Sequence, residues 1–200
     1  LLPAKAKNPF LLVASIVFYI SSDPKSVFLL IFTAFLNYAF ALIIARRSRF
    51  SKVALILCLA ADFSVLFFFK YSHFFLSLFF GDSVPEPALP VGISFYTFQA
   101  ASYTIDVYRN DCRCERSFPT FATYLCLFPQ LIAGPIVRYS DVEDSMLSRQ
   151  RGPVRFSDGV FLFARGLAKK VVIADSLFVL GVGYAESMQR DVLFSWLYAV

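Results

Sequence analysis

Residues 27–45 form a continuous apolar run without one charged side chain, and this run limits the possible folds more than any other feature. About 20 apolar residues in a helix cross the hydrocarbon core of a bilayer. Backbone N–H and C=O groups find no water at that depth, so the run must be helical. The sequence shows nothing of the alternating pattern of a membrane barrel. The run therefore predicts a membrane-spanning helix.

Further apolar stretches extend this prediction, and we expect an all-α, polytopic integral membrane protein. The predicted spans are about 8–21, 26–45, 53–70 and 90–108, with 191–200 as a last span that the end of the sequence cuts. We expect the chain to be incomplete at both ends, because it starts at Leu1 and stops within an apolar run.

Two segments depart from simple spans. Residues 118–137 are apolar but contain several prolines, and basic side chains flank both of their ends. Matching flanks favour a re-entrant or broken segment with both ends on one face, and a kinked full span is the alternative. Residues 156–182 are amphipathic at their start and are expected to lie partly at the membrane interface.

The composition also favours a membrane environment, since 58% of the residues are hydrophobic and 16% are charged. Soluble domains are about half apolar and about a quarter charged. The net charge of +5 does not indicate nucleic acid as a partner, because the basic residues lie beside apolar spans. Arg46, Arg47, Arg49 and Lys52 form the largest basic cluster, which we expect in the cytoplasm. We therefore expect a multi-pass protein of the inner (plasma) membrane, with membrane lipid as a partner.

Polar side chains interrupt the predicted span 90–108. Tyr96, Gln99, Tyr103 and Asp106 recur at steps of three and four, which places them on one face of a helix. Polar groups at membrane depth face protein or water. Two interpretations stay open: this face lines a substrate path, or its groups bond to neighbouring helices. Asp106 is also placed to pair with Arg109, three residues further on.

Other isolated polar residues give weaker signals. Asp62 lies within the span 53–70 and needs a partner or a proton, and functional and structural roles are equally open. His73, the single histidine, is more typical of an interfacial residue, and no nucleophile–base set assembles around it. Cys112 and Cys114 are a C-x-C pair without further ligands, so we expect no metal site.

Lys169 and Lys170 lie together between apolar residues. Anchoring at the membrane interface is the simpler explanation of such a pair. The alternative is that the two ammonium groups attract an anionic, phosphate-bearing molecule from the cytoplasm.

Three blocks of the sequence resemble the membrane-bound O-acyltransferase family. They read LPVGISFYTFQ at 89–99, FPQLIAGPIVRY at 128–139 and GLAKKVVIAD at 166–175. Within the family, the chain is most similar to the alginate O-acetylation branch. The resemblance implies that residues 1–200 are the N-terminal portion of a single membrane domain, a helical bundle with a central tunnel.

The family resemblance also implies a reaction. Members pass an acyl group from a cytoplasmic donor, acyl-CoA or an acyl carrier protein, towards an acceptor outside the cytoplasm. In the branch resembled here the group is acetyl, the acceptor is a polysaccharide and a periplasmic acetyltransferase assists. No tightly bound cofactor is implied. The family's essential histidine lies in a block later than this chain reaches, so we assign no catalytic residue, and His73 does not inherit that role.

The resemblance and the polar patterns together give a set of candidate tunnel residues: Tyr96, Gln99, Tyr103, Asp106, Gln130, Arg138, Lys169 and Lys170. Asp62 departs from the family, which favours asparagine at that position. Two other classes of protein share the basic loops and intramembrane polar groups. One is a polysaccharide exporter or flippase, and the other is a non-catalytic scaffold of a cell-envelope complex.

Overall fold

The computed structural model describes residues 6–80, 87–131, 134–147 and 153–186, and every regular element within these ranges is helical. The predicted all-α class is confirmed for this part of the chain. The chain divides into two compact units, Leu1–Arg149 and Gln150–Val200. The predicted span 191–200 lies outside the described residues.

The first unit begins with three helices, α1 (Lys7–Ser22), α2 (Val27–Ala45) and α3 (Ser51–Phe80). Among the described helices, α2 and α3 are long and apolar enough to cross a membrane, and α1 is a shorter apolar helix. The bounds of α2 coincide with the apolar run 27–45, which contains no charged side chain. At 1.5 Å per residue, the 30 residues of α3 reach about 45 Å, which exceeds the thickness of a hydrocarbon core.

The end of α3 differs from the prediction, which placed it at Lys70. The helix continues to Phe80. Residues 71–80 contain neither glycine nor proline, so nothing interrupts the backbone hydrogen bonds there. The ammonium group of Lys70 lies 5.6 Å from the centroid of the Tyr71 ring. A snorkelling lysine marks where a helix meets a polar environment and does not terminate it.

The fourth helix, α4 (Ile93–Arg109), lies between two residues in the left-handed conformation. Gly92 precedes it with φ 73°, and Asn110 follows it with φ 69°. At the C-terminal end, the N–H of Asp111 donates to the carbonyl of Asp106 at 2.9 Å, which is the long bond of a Schellman motif. Glycine and asparagine adopt this conformation at low cost, so the sequence itself sets both ends.

The segment predicted as re-entrant or kinked is broken in the structure. Helix α5 (Phe118–Cys126) stops before Leu127, the short helix α6 (Phe128–Leu131) follows, and α7 (Tyr139–Leu147) begins after residues 134–138, which are not helical. Pro129 explains the break, because it has no N–H to donate and its ring would clash with the Leu125 carbonyl of a continuous helix. The placement of this segment relative to a membrane stays a prediction.

The core of the first unit lies where α4 packs against α2 and α3, and where α1 and α2 pack against α5. Tyrosines fill much of it: Tyr19, Tyr96, Tyr103, Tyr124 and Tyr139 are at most 1% exposed. The ring of Tyr139 lies 5.1 Å from the rings of both Tyr103 and Tyr124. Buried tyrosines usually have hydrogen-bond partners for their hydroxyls, so this core brings polar groups together as well as rings.

The second unit contains α8 (Pro153–Ala168), a π-helical turn (Lys169–Ala174) and α9 (Asp175–Glu186), which follow one another without a break. The N–H of Asp175 donates to the carbonyl of Lys170, five residues earlier. The side chains of the same two residues form an ion pair, with 2.9 Å between Nζ and Oδ2. Single π-turns inside α-helices occur often at functional sites.

Candidate functional site

The polar stripe of α4 faces the interior of the first unit. Tyr96, Gln99, Tyr103 and Asp106 are each at most 3% exposed. Gln99 and Tyr103 have hydrogen-bond partners, as described below. The hydroxyl of Tyr96 and Oδ2 of Asp106 are buried and have no partner in the described part of the chain. Burial of this face agrees both with a substrate path and with bonding to neighbouring helices. The two unpartnered oxygens are the groups of this face that remain able to bond to a ligand.

Two predicted tunnel residues, Gln99 and Gln130, meet at one backbone carbonyl. The Nε2 of Gln99 donates to the carbonyl oxygen of Tyr124 at 3.2 Å, and Nε2 of Gln130 donates to the same oxygen at 2.9 Å. The break after α5 leaves this carbonyl without its helical partner, because the N–H of Phe128 donates to Oγ of Ser15 instead. The two amides therefore stabilise the broken segment.

Gly134 lies against the same segment. A Cβ on Gly134 would overlap with Cα of Gln130. The N–H of Gly134 also donates to the carbonyl of Gln130 at 3.3 Å. Packing therefore explains why a glycine occupies position 134, because the backbone folds back on itself too closely there for any side chain.

Tyrosine hydroxyls hold the loop 110–117, which connects α4 to α5. The hydroxyl of Tyr103 accepts from the N–H of Glu115 at 3.0 Å, and the hydroxyl of Tyr139 donates to Oε2 of Glu115 at 2.7 Å. The hydroxyl of Tyr38 donates to the carbonyl of Arg116 at 2.6 Å. Burial raises the pKa of Tyr139, and its bond to Glu115 adds to that shift, so Tyr139 stays a proton donor.

A buried polar cluster, here called the asparagine node, joins α2, α3 and α4. Asn37 Nδ2 donates to Oδ1 of Asp62 at 3.0 Å, while its Oδ1 accepts from Thr104 at 2.8 Å and from Cys58 Sγ at 3.3 Å. Asp62 thus has the partner that its position requires, although its Oδ2 has none among the described residues. Cys58 and Thr104 were not among the predicted site residues. The spacing of four between Cys58 and Asp62 was the available signal.

A cleft of 960 Å³ lies where α2 and α4 end side by side. We call it the arginine cleft, after its charged lining: Arg46, Arg47, Arg113, Arg116, Asp111 and Glu143. These arginines were predicted only as basic flanks of apolar segments, and their meeting in one cleft was not predicted. The available signal was that basic residues follow both predicted spans, 26–45 and 90–108.

Arg47 has a structural role in this cleft. Its backbone is left-handed, with φ 54°, which is unusual for a large side chain. Its guanidinium group donates to the carbonyl of Val107 at 2.9 Å, to the carbonyl of Tyr108 and to Oδ1 of Asn110. The last carbonyls of a helix lack backbone N–H partners, and the guanidinium group of Arg47 supplies donors to those of α4. It thereby ties the end of α2 to the end of α4.

The two cysteines of the loop also line the cleft. Burial raises the pKa of Cys112 to about 12, and burial also raises the pKa of Cys114. Both thiols are therefore protonated near neutral pH and are poor nucleophiles. Within the described ranges, no group of three or more His, Cys, Asp or Glu side chains is arranged to hold a metal ion.

The predicted pair of Asp106 and Arg109 is wrong. Arg109 pairs with Asp111 instead, with 3.2 Å between Nε and Oδ2, because Arg109 is exposed at the last turn of α4 while Asp106 points into the core. Arg138 is exposed and within electrostatic range of Asp106. Lys169 and Lys170 belong to the second unit, where Lys170 pairs with Asp175. The role of all these residues as tunnel walls stays a prediction.

Fold and site together define a class: an all-helical protein whose membrane-length apolar helices enclose a polar interior seam, with a basic cleft at one end. No family model matches the sequence. No solved structure matches it either.

Curated relatives match along most of the chain. A protein named "Probable alginate O-acetylase AlgI" from Azotobacter vinelandii is 38% identical over 187 residues, which cover 88% of this chain and 38% of the relative. A protein of the same name from Pseudomonas aeruginosa is 39% identical over 191 residues, with coverages of 86% and 35%. A "Peptidoglycan O-acetyltransferase" from Helicobacter pylori is 34% identical over 237 residues, with coverages of 98% and 45%.

These matches confirm the resemblance seen in the sequence blocks. The names of these relatives are consistent with the AlgI-like branch of the membrane-bound O-acyltransferase family. It spans little more than a third of the length of the alginate O-acetylases it matches.

Proposed function

We propose that the complete protein is a multi-pass enzyme of the inner (plasma) membrane that passes an acetyl group from a cytoplasmic donor towards a polysaccharide outside the cytoplasm. One observation carries the proposal: 88% of the chain matches a protein named for alginate O-acetylation, and 98% matches one named for peptidoglycan O-acetylation. Both names describe transfer of acetyl to hydroxyl groups of a glycan.

The described residues would supply walls for the acyl group and not the reacting atoms. Acyl transfer to a hydroxyl needs a base, and the family resemblance places the essential histidine after residue 200. In this part of the chain, the unpartnered oxygens of Tyr96 and Asp106 favour these two residues as the wall groups that a passing substrate meets. Gln99, Gln130 and Tyr103 would act behind them by fixing the broken segment and the loop 110–117.

The donor in this proposal is acyl-CoA or an acyl carrier protein, and it approaches from the side on which α2 and α4 end. The basic residues at that end favour a cytoplasmic location by the positive-inside rule. The acceptor side lies opposite, where a periplasmic acetyltransferase would receive the group and complete its transfer to the polysaccharide.

The reaction is tested in a strain that lacks the gene for the complete protein. We expect its secreted or cell-wall glycan to lose O-acetyl groups, and the wild-type gene to restore them, as measured by alkaline release of acetate and by NMR of the purified glycan. A full-length variant without the family's essential histidine should not restore them. Restoration by that variant would mean a scaffold, and loss of the glycan itself with unchanged acetyl content would mean an exporter.

The topology is tested by single cysteines placed at positions 48, 83 and 148 of a full-length protein that otherwise lacks reactive thiols. We expect an impermeant maleimide to label position 83 in intact cells, and positions 48 and 148 only after the membrane is opened. Labelling of 48 and 148 from opposite sides would replace the re-entrant segment 118–137 with a full span.

A further inference from the structure

Acidic and basic groups are unequally matched in the arginine cleft. Both of its carboxylates have arginine partners: Asp111 pairs with Arg109 at 3.2 Å, and Glu143 pairs with Arg113 at 3.8 Å. The N–H of Arg113 also donates to Glu143 at 3.4 Å. Both acidic groups of the lining are therefore already paired, and none remains to neutralise the positive charge of the other arginines.

Three arginines of the cleft, namely Arg46, Arg47 and Arg116, have no acidic partner among the described residues. The guanidinium group of Arg47 bonds only to neutral oxygens, so its charge is not neutralised. The end of α4 offsets it only in part, since a helix C-terminus carries about half a negative charge. The cleft therefore keeps a positive field.

Arg46 and Arg116 are able to bind a ligand within this field. Neither side chain donates a hydrogen bond to another described residue, whereas both backbones are fixed. The N–H of Arg46 donates to the carbonyl of Ile43 at 3.2 Å, and the carbonyl of Arg116 accepts from Tyr38 at 2.6 Å. Two guanidinium groups on fixed backbones thus line one cavity with their donors unused.

We propose that the arginine cleft is a phosphate-binding site, in which Arg46 and Arg116 bind the phosphate oxygens and Arg47 adds its field. Guanidinium groups bind phosphate through paired N–H donors, and such charge-assisted bonds are about twice as strong as neutral ones. A volume of 960 Å³ exceeds that of a phosphate ion, so the cleft has room for a larger molecule that carries the phosphate. The proposal concerns binding and not turnover, so it is separable from acetyl transfer.

Two sources offer this chemistry at the end of a predicted membrane span. One is a soluble molecule with a terminal phosphate, and the other is the headgroup of an anionic phospholipid. The test uses the full-length protein in lipid nanodiscs and has one arm for each source. In the first arm, inorganic pyrophosphate is titrated into discs of phosphatidylcholine by isothermal calorimetry. In the second, the unfolding midpoint is compared between phosphatidylcholine discs and discs with about a third phosphatidylglycerol.

The variants are Arg46→Gln, Arg116→Gln and their combination. Arg49→Gln is the matched control, because Arg49 carries the same charge nearby, does not line the cleft and lies over the Phe50 ring. Arg47 is left unchanged because it caps α4. We expect the double variant to weaken pyrophosphate binding about tenfold or more, or to abolish the stabilisation by phosphatidylglycerol, while Arg49→Gln matches the wild type.

The two arms identify the source. A loss confined to the first arm assigns the cleft to a soluble phosphate, and a loss confined to the second assigns it to a lipid headgroup. A double variant that equals the wild type in both arms overturns the proposal. An equal loss in Arg49→Gln also overturns it, since that result would show only a general attraction of the basic surface for anions.

Discussion

Helices α3 and α4 pack against each other in the first unit, yet the more apolar of the two helices is the less buried one. α4 carries tyrosine, glutamine, threonine and aspartate side chains, and ten of its 17 residues are buried. α3 is far more apolar, and only five of its 30 residues are buried. The buried residues of α3 include Ser51, Cys58 and Asp62, so even there the enclosed face is the more polar one.

This inversion is the arrangement expected of a helical bundle surrounded by hydrocarbon. Phe68, Phe74 and Phe79 on the outer side of α3 are between 58% and 81% exposed. Soluble monomers rarely expose apolar patches of more than a few hundred Å². In hydrocarbon, apolar side chains gain nothing from leaving the solvent, and polar groups must bond to one another instead. The polar seam of α4 is then the part of the molecule that specifies the packing.

The largest expected effect is at the asparagine node, where α3 meets α4. Asn37→Leu removes the hydrogen-bond partner of Asp62 and of Cys58 at once, together with one of the two acceptors of Thr104, which keeps the Ala100 carbonyl. We expect the free energy of unfolding to fall by about 3 kcal/mol, since buried polar and charged groups are left unpaired. The measurement is unfolding of the full-length protein in mixed detergent micelles by increasing SDS, followed by circular dichroism.

Asp62→Asn is the matched control for that variant. The new amide oxygen still accepts from Nδ2 of Asn37, and the variant exchanges the carboxyl group, whose Oδ2 has no partner among the described residues, for an amide of nearly the same shape. We expect a change within about 1 kcal/mol in either direction. Equal effects of the two substitutions would contradict the central role of Asn37 in joining the helices.

A second substitution tests the exposed side of the comparison. Phe68 is 58% exposed on α3, and Phe68→Asp places a carboxylate where we predict lipid. The expected loss is about 1–2 kcal/mol, measured as the apparent free energy of membrane insertion of the segment 51–80 within the full-length protein, and it is below the loss of about 3 kcal/mol for an aspartate at a helix centre because Phe68 lies close to the predicted end of the span at Lys70. Phe68→Leu is the control and should insert normally. If water surrounds α3, the aspartate changes stability by less than about 0.5 kcal/mol, and the inverted arrangement is then wrong.

Sequence patterns were sufficient for the features that depend on one helix at a time. The run 27–45 coincides with α2, and the steps of three and four predicted one polar face on α4, which is buried in the structure. The predicted end of α3 at Lys70 is wrong, because a charged lysine does not terminate a helix where local backbone preferences allow it to continue.

The missed features all join residues that are far apart in the chain. The arginine cleft combines Arg46 with Arg116, and the asparagine node combines Asn37 with Thr104. The two glutamines of the tunnel set, Gln99 and Gln130, are far apart in the sequence, and only the fold shows that both bond to the carbonyl of Tyr124. Periodicity gives the face on which a side chain lies, but a partner on another helix requires the packing to be known.

A third, smaller effect is expected at the carbonyl of Tyr124, which lies beside the buried polar face of α4 and accepts from both glutamines. Gln99→Met and Gln130→Met each remove one donor but keep the other, so each should lower stability by about 1 kcal/mol or less. The double variant leaves the carbonyl of Tyr124 without a donor, and its loss should exceed the sum of the single losses by about 1 kcal/mol. SDS unfolding of all four proteins gives this coupling, and strictly additive losses would show that the two amides act independently.

The smallest effect concerns a charge at the edge of the bundle, where Asp23 ties the turn after α1 to the start of α4. Its carboxylate accepts from the N–H of Ser26 at 3.2 Å and from the N–H of Val91 at 3.3 Å. The side chain of Ser26, followed by the backbone N–H groups of Val91 and Ser26, holds the pKa of Asp23 below its ordinary value. A lowered folded-state pKa stabilises the fold above the unfolded pKa of about 3.9, and this contribution is lost as the pH falls through the folded value. Between about pH 6 and pH 3, the wild type should therefore lose more stability than Asp23→Asn, by under about 1 kcal/mol because the group is near solvent. A wild type and variant with parallel pH profiles would show that this carboxylate does not hold α4, and that the buried seam alone positions it.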